Sequence, residues 1–282
     1  DKKLTLKIDA PTANYKKAVR LMNTKIKKDL AKISVTNPVE VHATIIAPIG
    51  ESAEPQLYVA LRGKNNDVKI GNTEIPYSHV SFTGSIFSMG DRDTTSESGN
   101  GIVEFKNIKG NVYDFPFTAS VLIKDLKDPK IKIKADLQVQ GSKIKFKPGT
   151  DFILDGLCEE KINYQGTIAQ LNHNDFLNDP QQLVLNIQFK KFSYKTASDQ
   201  PAYTINGEAT GLNKNVSFKG LQLETVGGNF SIDGDAQDFV PYAFGFKNSF
   251  NAVIQANTDY MDLTPMIAKS FTGAPKKKKK TD

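Results

Sequence analysis

Between Lys130 and Gln140 the chain reads K-I-K-I-K-A-D-L-Q-V-Q, eleven residues in which polar and apolar side chains alternate without a break. Successive side chains of a strand point to opposite faces, so the run describes an extended segment that is wet on one side and apolar on the other. The same two-residue beat recurs along most of the chain. It carries Leu4, Leu6 and Ile8; Val39, Val41, Ala43 and Ile45; Leu57, Val59 and Leu61; Val80, Phe82 and Ile86; Val103 and Phe105. It continues through Phe115, Phe117, Ala119, Val121 and Ile123, then Leu183, Leu185, Ile187 and Phe189, and ends with Phe250, Ala252, Ile254 and Ala256. At ordinary strand lengths this makes about fifteen strands, more than an open sheet holds without curling or splitting in two. Gly and Asn clusters between the runs, at Asn65-Asn66-Asp67, Gly110-Asn111, Asn213-Lys214-Asn215 and Gly227-Gly228-Asn229, predict hairpin turns. No helix follows each strand, as parallel crossovers would require. The expectation is an all-β, mainly antiparallel fold in which one long sheet is strongly curved.

One segment breaks the beat. Tyr15, Val19, Met22, Ile26, Leu30 and Ile33 recur every three or four positions, which predicts a single N-terminal amphipathic helix from about Asn14 to Ala31, with Thr12 or Asn14 as its cap. Its other side carries Lys16, Lys17, Arg20, Lys27 and Lys28, a basic face suited to anionic headgroups at a membrane surface, while the apolar stripe is suited to covering a sheet.

Charge argues against nucleic acid as a partner. The net charge is +6, but five lysines stand together from Lys276 to Lys280, and the remainder is close to neutral. The aromatic residues fall on the apolar beat rather than among lysines and arginines, as base stacking would need. We read 1–271 as one elongated β-rich unit and 272–282 as a lysine-rich tail or linker. Cys158 is the only cysteine, so neither an internal disulfide nor a zinc-type cysteine pair can form. No apolar run approaches the roughly 18 residues of a membrane span. The chain starts at Asp1, and the expectation is that a signal or anchor precedes it.

Chemistry-bearing motifs are scarce. His42, His79 and His173 are scattered singly, so no metal site is predicted. Asp91 and Asp93, in the polar stretch from Ser88 to Gly101, lack the glycine and closing glutamate of a calcium loop, and Gly99-Asn100-Gly101 lacks the third glycine of a dinucleotide site. No nucleophile elbow or Walker motif occurs, and no cofactor or catalytic residue is predicted. Two carboxylates converging on one cleft, as in a glycosidase, are the form an enzyme here would take. Val80-Ser81-Phe82-Thr83-Gly84 is echoed by Val216-Ser217-Phe218-Lys219-Gly220, a sign of repetitive strand addition.

Several stretches together resemble the AsmA-like family of bacterial envelope proteins. They are the helix followed by Val39-Glu40-Val41-His42-Ala43-Thr44-Ile45, the V-S-F-T-G stretch with the polar loop after it, and Val103 to Gly110 (V-E-F-K-N-I-K-G). The series continues with Leu221 to Gly234 (L-Q-L-E-T-V-G-G-N-F-S-I-D-G) and Asp259 to Ile267 (D-Y-M-D-L-T-P-M-I). The resemblance implies a sheet folded like a taco shell, with an apolar trough along which phospholipid acyl chains pass between membranes. It further implies a periplasmic location within a longer protein anchored to the inner membrane, and a non-enzymatic role in outer-membrane lipid transport or homeostasis. Candidate trough residues are Phe115, Phe117, Val121, Ile131, Ile133, Leu137, Val139, Leu183, Leu185, Ile187 and Phe189. The alternative is a structural or partner-binding β-sandwich with a closed, dry core, which needs the same alternation.

Overall fold

A computed structural model of the chain describes residues 3–20, 27, 31–49, 55–71, 75–88, 101–126, 128–144, 152–167, 170, 182–196, 203–243, 247–262 and 264. Fourteen strands dominate them: β1 (Lys3–Ala13), β2 (Ile33–Val35), β3 (Val39–Pro48), β4 (Gln56–Ile70), β5 (Tyr77–Ser88), β6 (Gly101–Val112) and β7 (Phe115–Lys124). β8 (Lys130–Gln140), β9 (Phe152–Thr167), β10 (Leu183–Thr196), β11 (Tyr203–Leu212), β12 (Asn215–Thr225), β13 (Gly228–Gln237) and β14 (Asn251–Asn257) complete the set. They hydrogen-bond as one sheet in the order β1-β3-β4-β5-β6-β7-β8-β9-β10-β11-β12-β13-β14, with β2 set apart on β4. Each strand of that path is therefore the neighbour of the one before it, as hairpin connections dictate.

Burial follows the two-residue beat. Along β4, Val59, Leu61 and Gly63 are buried while Tyr58, Ala60 and Arg62 are exposed, and a one-residue slip of register would exchange the two sets.

The turns differ from the expectation in two places. Asn65-Asn66-Asp67 lies inside β4, and Gly110-Asn111 lies inside β6, whose hairpin closes instead at Tyr113 and Asp114, both in the left-handed region (φ 49° and 68°). Asn65 (φ 49°) marks the interruption of register between Gly63 and Asn66, and His79 (φ 54°) and Asn107 (φ 50°) mark the corresponding breaks in β5 and β6. A residue inserted at positive φ in mid-strand makes a bulge, which bends its strand without ending it. Three bulges in three consecutive strands therefore bend this part of the sheet. By contrast, the turns at Asn213-Lys214 and Val226-Gly227 fall where the glycine and asparagine clusters predict them.

Contacts divide the chain into two compact units, one of Asp1–Val139, Glu159–Asn186 and Gly211–Lys214, the other of Gln140–Cys158, Ile187–Thr210 and Asn215–Asp282. In the first, Val39, Val41, Val59, Leu61, Ile86 and Val103 form a core together with Tyr15 and Val19. The last two belong to α1 (Tyr15–Arg20), where the Asn14 side-chain oxygen accepts the Lys17 N–H at 3.2 Å and so caps the helix. The described helix is thus six residues long; Lys27 is also helical, and Met22, Ile26, Lys28 and Leu30 lie outside the described residues. Ile33 does not belong to the helical stripe. With Val35 it forms β2, pairing Ile70 and Val68, a placement that suits β-branched side chains.

The first unit also has an internal post. Asn66 is fully buried; its Oδ1 accepts the Asn37 N–H at 2.7 Å and its Nδ2 donates to the Lys64 carbonyl at 3.2 Å. In the second unit Val216, Leu221, Ala236 and Val240 are buried, and Phe239 and Tyr242 of α2 (Phe239–Ala243) pack with Phe250, ring centroids 4.9 to 5.2 Å from that residue. The Lys276–Lys280 run, read as a tail or linker, lies outside the described residues, as do Asp91, Asp93, Gly99, Asn100 and His173.

Candidate apolar trough

The register of the first unit assembles the apolar beats of successive strands into continuous rows. One runs Ala43, Val59, Ile86, Val103, Ile123 and Ile131; its neighbour runs Val41, Leu61, Gly84, Phe105, Val121 and Ile133. Beyond the bulge in β6, Phe117 and Leu137 face each other on the same side. Cross-strand pairs of this kind lie about 5 Å apart, so each row is an unbroken apolar band across the strands.

Cover is uneven along these bands. Over β3 to β6 the row is sealed, with Ile86 and Val103 at most 3 % exposed and Tyr15 and Val19 of α1 packed against the same cluster. Burial of its hydroxyl pushes the Tyr15 pKa up to about 12. Over β7 and β8, Phe115, Phe117, Val121, Ile133, Leu137 and Val139 are only half-buried, while Ile131 is buried where it meets the sealed row.

Of the remaining candidates, Leu183 and Leu185 are buried in the first unit, Leu185 lying within about 3 Å of where a Cβ on Gly211 would stand. The Leu183 N–H donates to Asn213 Oδ1 at 2.9 Å. Ile187 and Phe189 belong to the second unit, are half-buried, and Phe189 packs against Phe192 at 6.1 Å. The structure therefore brings Phe117, Val121, Ile131, Ile133 and Leu137 into one surface and resolves Leu183 and Leu185 as core.

Sequence reasoning missed two members. Phe105 and Ile123 continue the rows, and their signal was present in the β6 and β7 alternation. On β9, Glu160 alternates in step with Ile162 and Tyr164, and burial pushes its pKa up.

The basic residues divide as well. Lys16, Lys17 and Arg20 are exposed on α1, and Lys27 is exposed. On the opposite face of the sheet titratable groups gather at His42, whose Nδ1 lies 2.7 Å from Asp9 Oδ1 and whose Nε2 lies 3.0 Å from Glu40 Oε1. These hydrogen bonds, Asp9 first, raise the His42 pKa, and the His42 bond lowers that of Glu40. His79 instead serves the β5 bulge, its Nδ1 lying 2.8 Å from Asn65 Oδ1. Among the described residues no group of three or more His, Cys, Asp or Glu side chains is arranged to hold a metal ion, and no helix is long and apolar enough to cross a membrane. Compared with family models, curated proteins and solved structures, the chain matches none.

Proposed function

We propose that the chain is a non-enzymatic lipid-binding module that holds acyl chains, phospholipid chains foremost, against the partly buried bands of β7 and β8. The observation that carries this reading is the uneven cover of one continuous apolar surface. The same rows that α1 seals over β3 to β6 emerge only partly buried at Phe117, Val121, Ile133 and Leu137. Burial of apolar surface is worth about 25 cal/mol per Å², so a methylene chain laid along such a band is held without any specific polar contact and with little selectivity between lipids. In the same reading, the basic side chains of Lys16, Lys17, Arg20, Lys27 and Lys28 meet anionic headgroups. The module then works in the periplasm as part of a longer, inner-membrane-anchored protein contributing to lipid transport toward the outer membrane.

The test is lipid extraction and mass spectrometry of the purified full chain, beside an Ile133→Asp/Leu137→Asp variant. Co-purifying phospholipid that falls sharply in a folded variant supports the reading. A folded wild-type protein without lipid, which also takes up no fluorescent fatty acid, refutes it and leaves a structural or partner-binding module with a dry core.

A further inference from the structure

On the face opposite the apolar bands, β1, β3, β4 and β5 frame a recess of about 400 Å³. Its plan follows from register. One row across the strands is Lys7, Thr44, Tyr58 and Phe87; the adjacent row is Asp9, His42, Ala60 and Ser85. Ala60 and Ser85 are small, so the second row drops away beside the two rings of the first and leaves a floor between Tyr58 and His42. Tyr58 is 43 % exposed and leans on Phe87 with ring centroids 4.8 Å apart and planes at 40°. That contact holds an aromatic surface in place at the edge of a polar hollow.

The polar side is built from exposed groups. His42 is gripped between Asp9 and Glu40, which pins Asp9 through Oδ1 and leaves its Oδ2 free to accept a further hydrogen bond among the described residues. Lys7 and the Thr44 and Ser85 hydroxyls supply donors beside it. Charges around the recess nearly balance, Lys7 and Arg62 against Asp9 and Glu40, so the site favours neither an anion nor a cation. What fits is a neutral ligand with an apolar flat side and a rim of hydroxyls. A ring with these properties lays its C–H face on an aromatic ring while its hydroxyls bond to carboxylate, ammonium and hydroxyl groups.

We propose that this recess is a carbohydrate-binding site that takes a neutral pyranose, with Tyr58 as its stacking platform, Asp9 and Lys7 as its hydroxyl-reading groups, and Glu40 as a positioning residue acting through His42. The inference is independent of the lipid reading, since it concerns the other face of the sheet. It is tested by titrating the full chain, labelled with nitrogen-15, with maltotriose, mannotriose and triacetylchitotriose in turn, and with inorganic phosphate as an anion control.

At least one trisaccharide is expected to shift the amide signals around Lys7, Thr44, Tyr58 and Ser85, leaving those of β7 and β8 unmoved. Tyr58→Ala is expected to weaken that binding roughly tenfold or more, and Asp9→Asn to weaken it severalfold, in variants whose remaining spectrum is unchanged. Silence toward all three sugars, equal binding by a folded Tyr58→Ala protein, or a stronger response to phosphate than to any sugar overturns the proposal.

Discussion

Gly63 is the position where one methyl group should be felt most clearly. It faces Phe82 across the β4–β5 pair, and a Cβ placed there would lie 2.4 Å from Phe82 Cε1 and 2.6 Å from Cζ. The ring cannot simply swing away. It packs edge-on against Phe105, centroids 5.7 Å apart at 72°, and Phe105 in turn lies over Gly84, where a Cβ would come within 2.7 Å of it. Gly63→Ala therefore costs about 1–3 kcal/mol of overpacking strain and forfeits about 0.5–1.5 kcal/mol of edge-to-face contact. Against this stands a gain of about 0.5–1 kcal/mol from the reduced freedom of the unfolded chain. The expected net loss is about 2 kcal/mol, read from the urea midpoint by far-UV circular dichroism. In a Phe82→Ala background the obstruction is gone, and the same substitution is expected to be neutral or slightly stabilising. If Gly63→Ala costs the same in both backgrounds, the ring is not what makes glycine necessary and the reasoning fails.

Three further outcomes follow from other sites. Asn66→Ala strands the Asn37 N–H and the Lys64 carbonyl, and is expected to lower stability by about 1–3 kcal/mol in the same urea assay; an unchanged midpoint would show that Asn66 supports nothing. His42 is expected to titrate above its ordinary value of about 6.5 by proton NMR, and to return toward it in Asp9→Asn. Because its folded pKa is raised, its favourable contribution is complete below about pH 6.5 and disappears as pH rises through the folded value, and the opposite trend would contradict the geometry. Glu160→Gln removes a charge that burial disfavours, so at neutral pH it is expected to raise the urea midpoint, whereas a lower midpoint would mean that the carboxylate has a stabilising partner.

The alternation made the class of fold and most apolar rows legible, because a half-buried strand writes its two faces directly into neighbouring positions. What it could not separate was a turn from a bulge. Asn65 and Asn213 both adopt φ near 50°, yet the first bends a strand that continues and the second closes a hairpin. The difference lies in the partner strand, where Ser81 Oγ accepts the Asn65 N–H at 3.0 Å and His79 meets its side chain. The repeated V-S-F pattern was informative for a reason that only the register supplies. Phe82 covers Gly63 and Phe218 covers Gly234, so each copy sets a ring over a glycine on the adjacent strand. Local pattern also ran too far at Ile33, whose spacing suits a helix but whose partner is Ile70. The recess at Tyr58 was invisible, since its parts come from four strands and none of them is unusual alone.

The succession of strands has a consequence for how such a molecule is made. Each new ribbon of the main path needs only its predecessor as a template, so the growing polypeptide can zip on one hairpin at a time as it emerges, end first, from a narrow exit. Short-range pairing of this kind spares the chain the slow closure of long loops that delays many β-proteins. Vectorial assembly would leave, at every moment, one growing edge awaiting its next partner.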